Sequence, residues 1–461
     1  MPRPGPWLAI TVAILAGAGP ADAQAPSASA LAPTIPAAPK PGSASPNEDP
    51  APGWDPHVAR TVPDRVRPPE AERAACAFDQ AVCVHVGTGA RRAPVDRTLA
   101  VARDTLRFLD RQGLPSPLPD AGRGGSMALD VYLTTDGAPT DAYAELDASP
   151  GHFDRAPAYI LAPVPDEPDC RSDAAIASAV TRATLHGLDA AHHASTARMI
   201  GGYVAGFVAP CPAQSLTDVD DFQRQPHRAL TRDTPGSALF VKYLDERWGA
   251  GGVGAVAFGL VATSAQRSDP NRWLLSNEPD LWDALRRVML DRKSSLGNVL
   301  IDFAVHRAFV GDRSDGAHLS DVAWLGSAGR IGFEWAVDYG SLPRRLAPLH
   351  DVEPTGSSYV YVDLAGTDPH AGLRLIAEWE TSFVFQWAIV RLDERGIELG
   401  RKMGGGVYGE DTLQLTMTDV DGAHALLVVG TNLGHDDRHA DFDPDAGPPR
   451  AAGHTVTLYP L

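Results

Sequence analysis

The sequence is poor in cysteine, in basic residues relative to acidic ones, and in long apolar runs. Only four cysteines occur in 461 residues, and none of them form a Cys-x-x-Cys pair, which argues against a cysteine-based metal or redox motif. Lys and Arg number 40 against 58 Asp and Glu, giving a formal net charge of −18. Nucleic acid and anionic lipid are therefore not expected as the main partners, because both need basic patches. Beyond the amino terminus, no stretch is apolar for long enough to predict a membrane span.

The first 23 residues have the pattern of a secretory signal peptide. Arg3 precedes a short apolar stretch at 7–18, and Ala-Asp-Ala at 21–23 is a small-x-small cleavage site before Gln24. We therefore expect a secreted or periplasmic protein. In such an oxidising compartment the four cysteines should form disulfides. Three pairings are possible, and proximity alone favours Cys76–Cys83 with Cys170–Cys211.

Three segments of different composition follow the predicted signal peptide. Residues 24–71 are rich in Ala, Pro and Ser and lack apolar periodicity, so they predict a disordered linker. Residues 72–325 contain a few strand-like runs followed by amphipathic helices, and predict an α+β, mostly helical domain with a short sheet. Residues 330–461 contain seven short strand-like runs separated by turn residues, which predicts an antiparallel β-sandwich.

The stretch TLHGLDAAHH (184–193) ends a predicted helix that begins with Ser172 or Asp173 as its cap. On a continuous helix His186, Asp189 and His193 would share one face. The two histidines would lie about 10 Å apart along the axis, too far to share one zinc ion. Asp189 and His193 would be close enough, but no third ligand is evident. We expect a packed helix with His186 exposed on a polar face, with a metal site as the alternative.

Two other patterns suggest ligand sites. Asp441, Asp443 and Asp445 alternate as the ligands of calcium loops do, although Ala446 and Ala452 stand where an EF-hand needs glycine and glutamate. A looser calcium site therefore stays open. The GAGGVG stretch at 249–254 matches a dinucleotide-binding pattern, but it follows a predicted helix and not a strand, so that function is not expected.

The order of these features resembles exported bacterial zinc metallopeptidases of the zincin type. In that family a helix with His-Glu-x-x-His is followed by a second helix that carries a glutamate ligand. A helix like GSALFVKYLDERWG (236–249), a later one like FAVHRAFVGDR (303–313) and a C-terminal β-sandwich come after them. The resemblance would cover residues 96–461 and implies a zincin-like domain before the sandwich.

The functional residues of that family are not carried over. The first zinc-binding histidine corresponds to His186, but the general-base glutamate corresponds to Gly187 and the second histidine to Ala190. On the second helix, MIGGYVAGFVA (199–209), the glutamate corresponds to Gly202. Zinc hydrolysis needs three protein ligands and a base for the water. The resemblance therefore implies a pseudo-peptidase without a required cofactor, which binds an unidentified protein, peptide or envelope ligand or has a structural role. An active metal-dependent hydrolase with a non-standard site is the alternative.

Two glycines in these helices predict close packing. Gly187 and Gly202 lack side chains, so both are predicted to allow helices to approach one another closely.

Overall fold

The computed structural model describes residues 67–68, 73–87, 91–135, 137–145, 155–167, 169–232, 235–250, 252–265, 279–434 and 450–461. The predicted signal peptide (1–23), nearly all of the predicted linker (24–71) and the aspartates Asp441, Asp443 and Asp445 lie outside the described residues. All of the described residues belong to one unit, residues 42–461.

Five strands and eight α-helices are described up to Arg307, and nine strands follow. The α-helices are α1 (Arg92–Arg111), α2 (Cys170–His186), α3 (Ala194–Val208), α4 (Pro212–Arg224), α5 (Ala238–Trp248), α6 (Ala257–Ser264), α7 (Leu281–Asp291) and α8 (Leu296–Arg307). The strands are β1 (Arg73–Cys76), β2 (Val82–Val86), β3 (Leu129–Thr134), β4 (Asp141–Ala144), β5 (Ala158–Pro163), β6 (Trp335–Asp338), β7 (Arg344–Leu346), β8 (Ser357–Asp363), β9 (Leu373–Trp379), β10 (Val384–Leu392), β11 (Glu398–Gly405), β12 (Thr412–Met417), β13 (Ala425–Gly434) and β14 (His454–Pro460).

The first sheet has the strand order β1-β2-β3-β5-β4. Strands β2, β3 and β5 run parallel, whereas β1 and β4 are antiparallel edge strands. Side chains of a strand alternate between the two faces, so Val131 and Leu133 of β3 share a core with α1 and α2. On the opposite face, Tyr132 packs with Tyr143 and Tyr159. The helices therefore cover one face of this sheet, and the other face carries aromatic rings.

Two further sheets form a β-sandwich, with strand orders β11-β10-β13-β8-β6 and β12-β9-β14-β7. Their facing side chains make one core, in which Leu375 and Val456 of one sheet pack with Ile389 and Val428 of the other. All seven strands that the sequence predicts are present. The expectation of a purely antiparallel sandwich needs correction, because the short strand β6 pairs with β8 in parallel.

Helix α8 connects the helical part to the sandwich. Its Ile301 and Val305 pack against Val390 and Val429 on the outer face of the sheet that contains β10 and β13. The Tyr359 hydroxyl of β8 also donates a hydrogen bond of 2.7 Å to the carbonyl of Ala304. The predicted α+β class is confirmed. Among the described residues, no helix has both the length and the apolar character that crossing a membrane requires.

Candidate functional site

Helix α2 ends earlier than the sequence pattern predicts. Its N-cap is Asp169, whose carboxylate accepts a hydrogen bond of 2.8 Å from the Ser172 amide, so the expected cap at Ser172 or Asp173 is wrong. The last helical residue is His186, and Gly187 is the C-cap. A methyl group added to Gly187 would lie 3.3 Å from the backbone nitrogen of Leu118. The loop that contains Leu118 thus lies directly against the end of the helix.

This early end separates the three predicted metal ligands. Asp189 lies in the connection to α3, where its Oδ1 accepts a hydrogen bond of 3.0 Å from the Ala191 amide. His193 is the N-cap of α3, and its Nδ1 lies 2.7 Å from the Ser195 hydroxyl. The helical spacing assumed for Asp189 and His193 is therefore wrong. Within the described part of the chain, these two residues and His186 do not form a cluster with metal-binding distances.

The sequence predicts that His186 lies on an exposed face, but in the structure it does not. Its ring packs 4.7 Å from the ring of His192, and its Nδ1 is buried without a hydrogen-bond partner among the described residues. Burial, with smaller effects from His192 and Arg182, holds the pKa of His186 well below its usual value. Both rings are therefore neutral at neutral pH, since burial also lowers the pKa of His192 to about 4. The expected exposed position of His186 on a polar face is therefore wrong.

A cleft of about 720 Å³ lies beside α2, between α3, α4, α5 and the 3-10 turn Ala323–Gly329. Gly202 and Tyr203 of α3 line it, as do the exposed rings of Phe207 and Trp324. The disulfide Cys170–Cys211 joins the first residue of α2 to the residue before α4, so it fixes one end of the cleft. This pairing and Cys76–Cys83 are both as the sequence predicts.

Cationic side chains gather in the cleft although the protein as a whole is acidic. Its lining includes Arg171, Arg182, Arg198 and Lys242, against the two acidic residues Asp218 and Asp321. Arg182 stands four residues before His186, which places the two residues on the same face of α2. Arg182 cannot supply a second metal ligand on this face, because a guanidinium offers no lone pair to a metal.

Arg182 and Arg198 meet at Asp141, the first residue of the edge strand β4. Arg182 forms an ion pair with Asp141 Oδ1, and Arg198 lies 3.4 Å from Oδ2. The Arg182 side chain is only 9% exposed, so its charge needs this carboxylate. No sequence pattern predicts that Arg182, Arg198 and Asp141 meet. Asp141 is 41 residues away from Arg182 in the sequence, and the sheet brings it close.

Gly254, the last residue of the GAGGVG pattern, and the residues after it bind a buried carboxylate. The amides of Gly254, Val256 and Ala257 donate hydrogen bonds of 2.6, 2.8 and 3.1 Å to the carboxylate of Asp245. Asp245 also accepts a hydrogen bond of 2.5 Å from the Tyr203 hydroxyl. These amides are thus used to hold a buried carboxylate of α5.

A second cluster lies away from the cleft, where the helical part meets the sandwich. It consists of His227, Glu334 and His350, each of which offers one ligand atom within 4.8 Å of the others. It is the one group of this kind among the described residues. No sequence pattern predicts this cluster, because its three residues lie in separate loops and match no ligand spacing.

Comparisons with known proteins do not assign a family. No family model and no curated protein matches the chain. Three solved structures show partial similarity: the enzymatically active domain of tailspike protein 4 from bacteriophage CBA120, the surface-associated copper-binding protein CorA of Methylomicrobium album BG8, and chitosan-binding module 1 from a chitosanase/glucanase of Paenibacillus sp. IK-5.

These likenesses are weak and local. The TM-scores are 0.18, 0.18 and 0.16, at sequence identities of 12%, 12% and 18%. The matches cover 26%, 28% and 26% of this chain, and 17%, 98% and 79% of the other chains. The match thus spans less than a fifth of the tailspike chain. At these scores, none of the three bears on the function of this protein.

Proposed function

We propose that this protein is an exported, zincin-like pseudo-peptidase that binds a ligand in the cleft between α2 and α5 and does not hydrolyse it. The order of a sheet, α2, α3, α5, α8 and a sandwich supports the resemblance. Export is supported by the signal-like amino terminus and by the two disulfides, which persist in oxidising compartments.

The proposal rests mainly on which residues lie beside His186. Gly187 and Ala190 stand at the positions of the base and the second ligand, and the helix has ended by then. Four residues earlier, Arg182 places a positive charge on the same helix face. A zinc ion would meet only one imidazole and a nearby cation there, whereas catalysis needs three ligands and a base.

The lining of the cleft indicates an anionic ligand. Four cationic and two acidic side chains line it, and Trp324 and Phe207 add exposed aromatic surface. Arg182 and Arg198 share Asp141, and Lys242 pairs with Glu246. Such a surface suits an acidic peptide segment, because arginine binds carboxylates through paired hydrogen bonds. The proposed role is therefore recognition of an acidic partner at the cell envelope or outside the cell.

Fluorescence anisotropy with a labelled glutamate-rich peptide tests this role at physiological ionic strength. Arg198→Glu should weaken binding at least about tenfold, since it reverses a charge in the cleft. The same change at Arg292, which is exposed after α7 and does not line the cleft, should change binding little. Equal effects of the two substitutions, or no binding by the wild-type protein, would contradict recognition in the cleft.

A further inference from the structure

The cluster of His227, Glu334 and His350 has ligand types and positions that the proposed function does not use. His227 lies in the loop after α4, Glu334 directly precedes β6, and His350 follows β7. The three side chains therefore bring the helical part and the sandwich together at one point. Two imidazoles and one carboxylate form a common set of protein ligands for zinc.

The ligand atoms of the three side chains are almost close enough together to bind one ion. The rings of His227 and His350 are stacked, with their centroids 4.2 Å apart and their planes 6° apart. His350 Nδ1 lies 3.1 Å from Glu334 Oε1. Ligand atoms on one tetrahedral zinc ion would lie about 3.3 Å apart, given bonds of about 2.0 Å. The separation of up to 4.8 Å could close through a small movement of His350, whose side chain is 56% exposed.

The backbone on each side of the cluster is fixed. The carbonyl of His227 accepts a hydrogen bond of 2.9 Å from the Glu353 amide, and the Glu334 amide donates one of 2.9 Å to Tyr359. Glu334 Oε2 accepts a hydrogen bond of 2.7 Å from the Leu349 amide, which orients the carboxylate as an outer hydrogen bond orients a metal ligand. Two of the three ligand residues, His227 and Glu334, are therefore held in place before any ion binds.

The ring of His227 is half-buried and stacks on the ring of His350. Neither of its nitrogens has a hydrogen-bond partner among the described residues. In its neutral form an imidazole ring has one nitrogen lone pair that can bind a metal ion.

We propose that His227, Glu334 and His350 bind one transition-metal ion of the zinc class, which ties the helical part of the protein to the β-sandwich. The exposed side of His350 leaves a further coordination position for water or for a ligand atom of a partner. This site goes beyond the proposed function, since the cleft and its ligand do not depend on it.

Calorimetric titration of the chelator-treated, tag-free full chain with ZnCl₂ tests the site. The wild-type protein should bind one equivalent. His350→Ala removes an exposed ligand, and Glu334→Gln keeps an oxygen that can accept the Leu349 hydrogen bond, so both variants should fold. Each should weaken zinc binding at least about tenfold. The control His370→Ala changes an exposed histidine outside the cluster and should bind zinc as the wild type does.

Thermal unfolding of the same proteins gives a second readout. Zinc should raise the melting temperature of the wild type and of His370→Ala, because an ion that binds only the folded chain stabilises it, and should do so much less for His350→Ala and Glu334→Gln. Zinc binding that is absent from the wild type, or that is equally strong in all four proteins, would overturn the proposal. The second result would place the ion on other residues.

Discussion

At the scale of single residues, Arg67 is a largely buried cation near the amino-terminal end of the described chain. Its guanidinium forms ion pairs with Asp130, with Asp120 at 2.6 Å and with Glu145 at 2.6 Å, although the Asp120 contact lacks the direction of a hydrogen bond. Its side chain is 9% exposed. Burial alone would lower the pKa of Arg67, but Glu145 and Tyr132 raise it, so the side chain stays charged.

Removing this guanidinium should destabilise the fold strongly. Arg67→Ala leaves Asp120, Asp130 and Glu145 close together without the cation that they share, which should cost about 3–5 kcal/mol in the free energy of unfolding. Arg67→Lys should recover only part of the loss, since lysine cannot form the two-pronged contact with Glu145. The matched change at Arg92, an exposed residue paired with Asp96, should cost less than about 1 kcal/mol. Urea unfolding measures all three, and equal losses for Arg67→Ala and Arg92→Ala would contradict the account.

His454 of β14 should make the sandwich sensitive to acid. Its ring is buried against Phe385 and Trp387, and burial lowers its pKa from 6.5 to about 4. The unfolded chain therefore binds this proton at a higher pH than the folded chain does. Stability is lost as the pH falls from 6.5 to about 4, by up to about 3 kcal/mol from this group.

Replacing the ring tests this directly. His454→Phe keeps a ring in the same apolar surroundings but cannot take up a proton, so its unfolding free energy should fall less steeply between pH 6.5 and 4. At pH 8 the two proteins should differ only through packing. Parallel stability curves for the wild type and His454→Phe across the acid range would show that His454 is not the responsible group.

At the scale of elements, the contact between α2 and α3 depends on Gly201. A methyl group added there would lie 2.6 Å from the hydroxyl oxygen and 3.0 Å from the carbonyl oxygen of Ser178 on α2. At Gly202, which the sequence analysis selects, the nearest atoms of Ala238 and Pro235 are 3.4 Å away. The prediction of helix–helix contact at Gly202 is therefore correct in kind but assigned to the wrong glycine. Gly187 meets a loop and not a helix.

These neighbouring glycines form a matched pair for mutation. Gly201→Ala should destabilise the fold by about 1–3 kcal/mol through overpacking. Gly202→Ala should be neutral or stabilising by up to about 1 kcal/mol, since alanine is the better helix former and has room there. Thermal or urea unfolding compares the two. A larger loss for Gly202→Ala than for Gly201→Ala would contradict the observed packing of α3.

The elements that the sequence predicts are those with a clear pattern in their own residues. Strands β9 and β14 alternate buried and more exposed residues, and β10 and β13 are long, almost continuously buried runs. In contrast, β6 and β7 are only three or four residues long and pair with β8 and β14. The sequence does not predict helix α4, because a helix that buries only Val219, Phe222 and Gln223 has no clear apolar repeat. The end of α2 was placed too late because the contact with Leu118 is made by a distant loop.

At the scale of the whole molecule, the α+β class, the sandwich and the two disulfides could be predicted, but the arrangement of charges could not. The ion pairs of Arg67 and Arg182 and the cluster around His227 all join residues that are distant in sequence. Local patterns carry no information on such contacts, because the fold alone decides which loops meet. The absence of a zinc motif could be read from the sequence, whereas the cationic cleft beside it could not.

Peptide hydrolysis by the zinc-loaded full chain tests the central claim, that the cleft binds a ligand without cleaving it. The wild-type protein is compared with Asp189→Ala/His193→Ala on a mixed set of fluorogenic peptides, with and without a chelator. The account predicts equal, background rates for both proteins, unchanged by the chelator. Hydrolysis by the wild type that needs zinc and disappears in the double variant would contradict it and would establish an active metal-dependent peptidase.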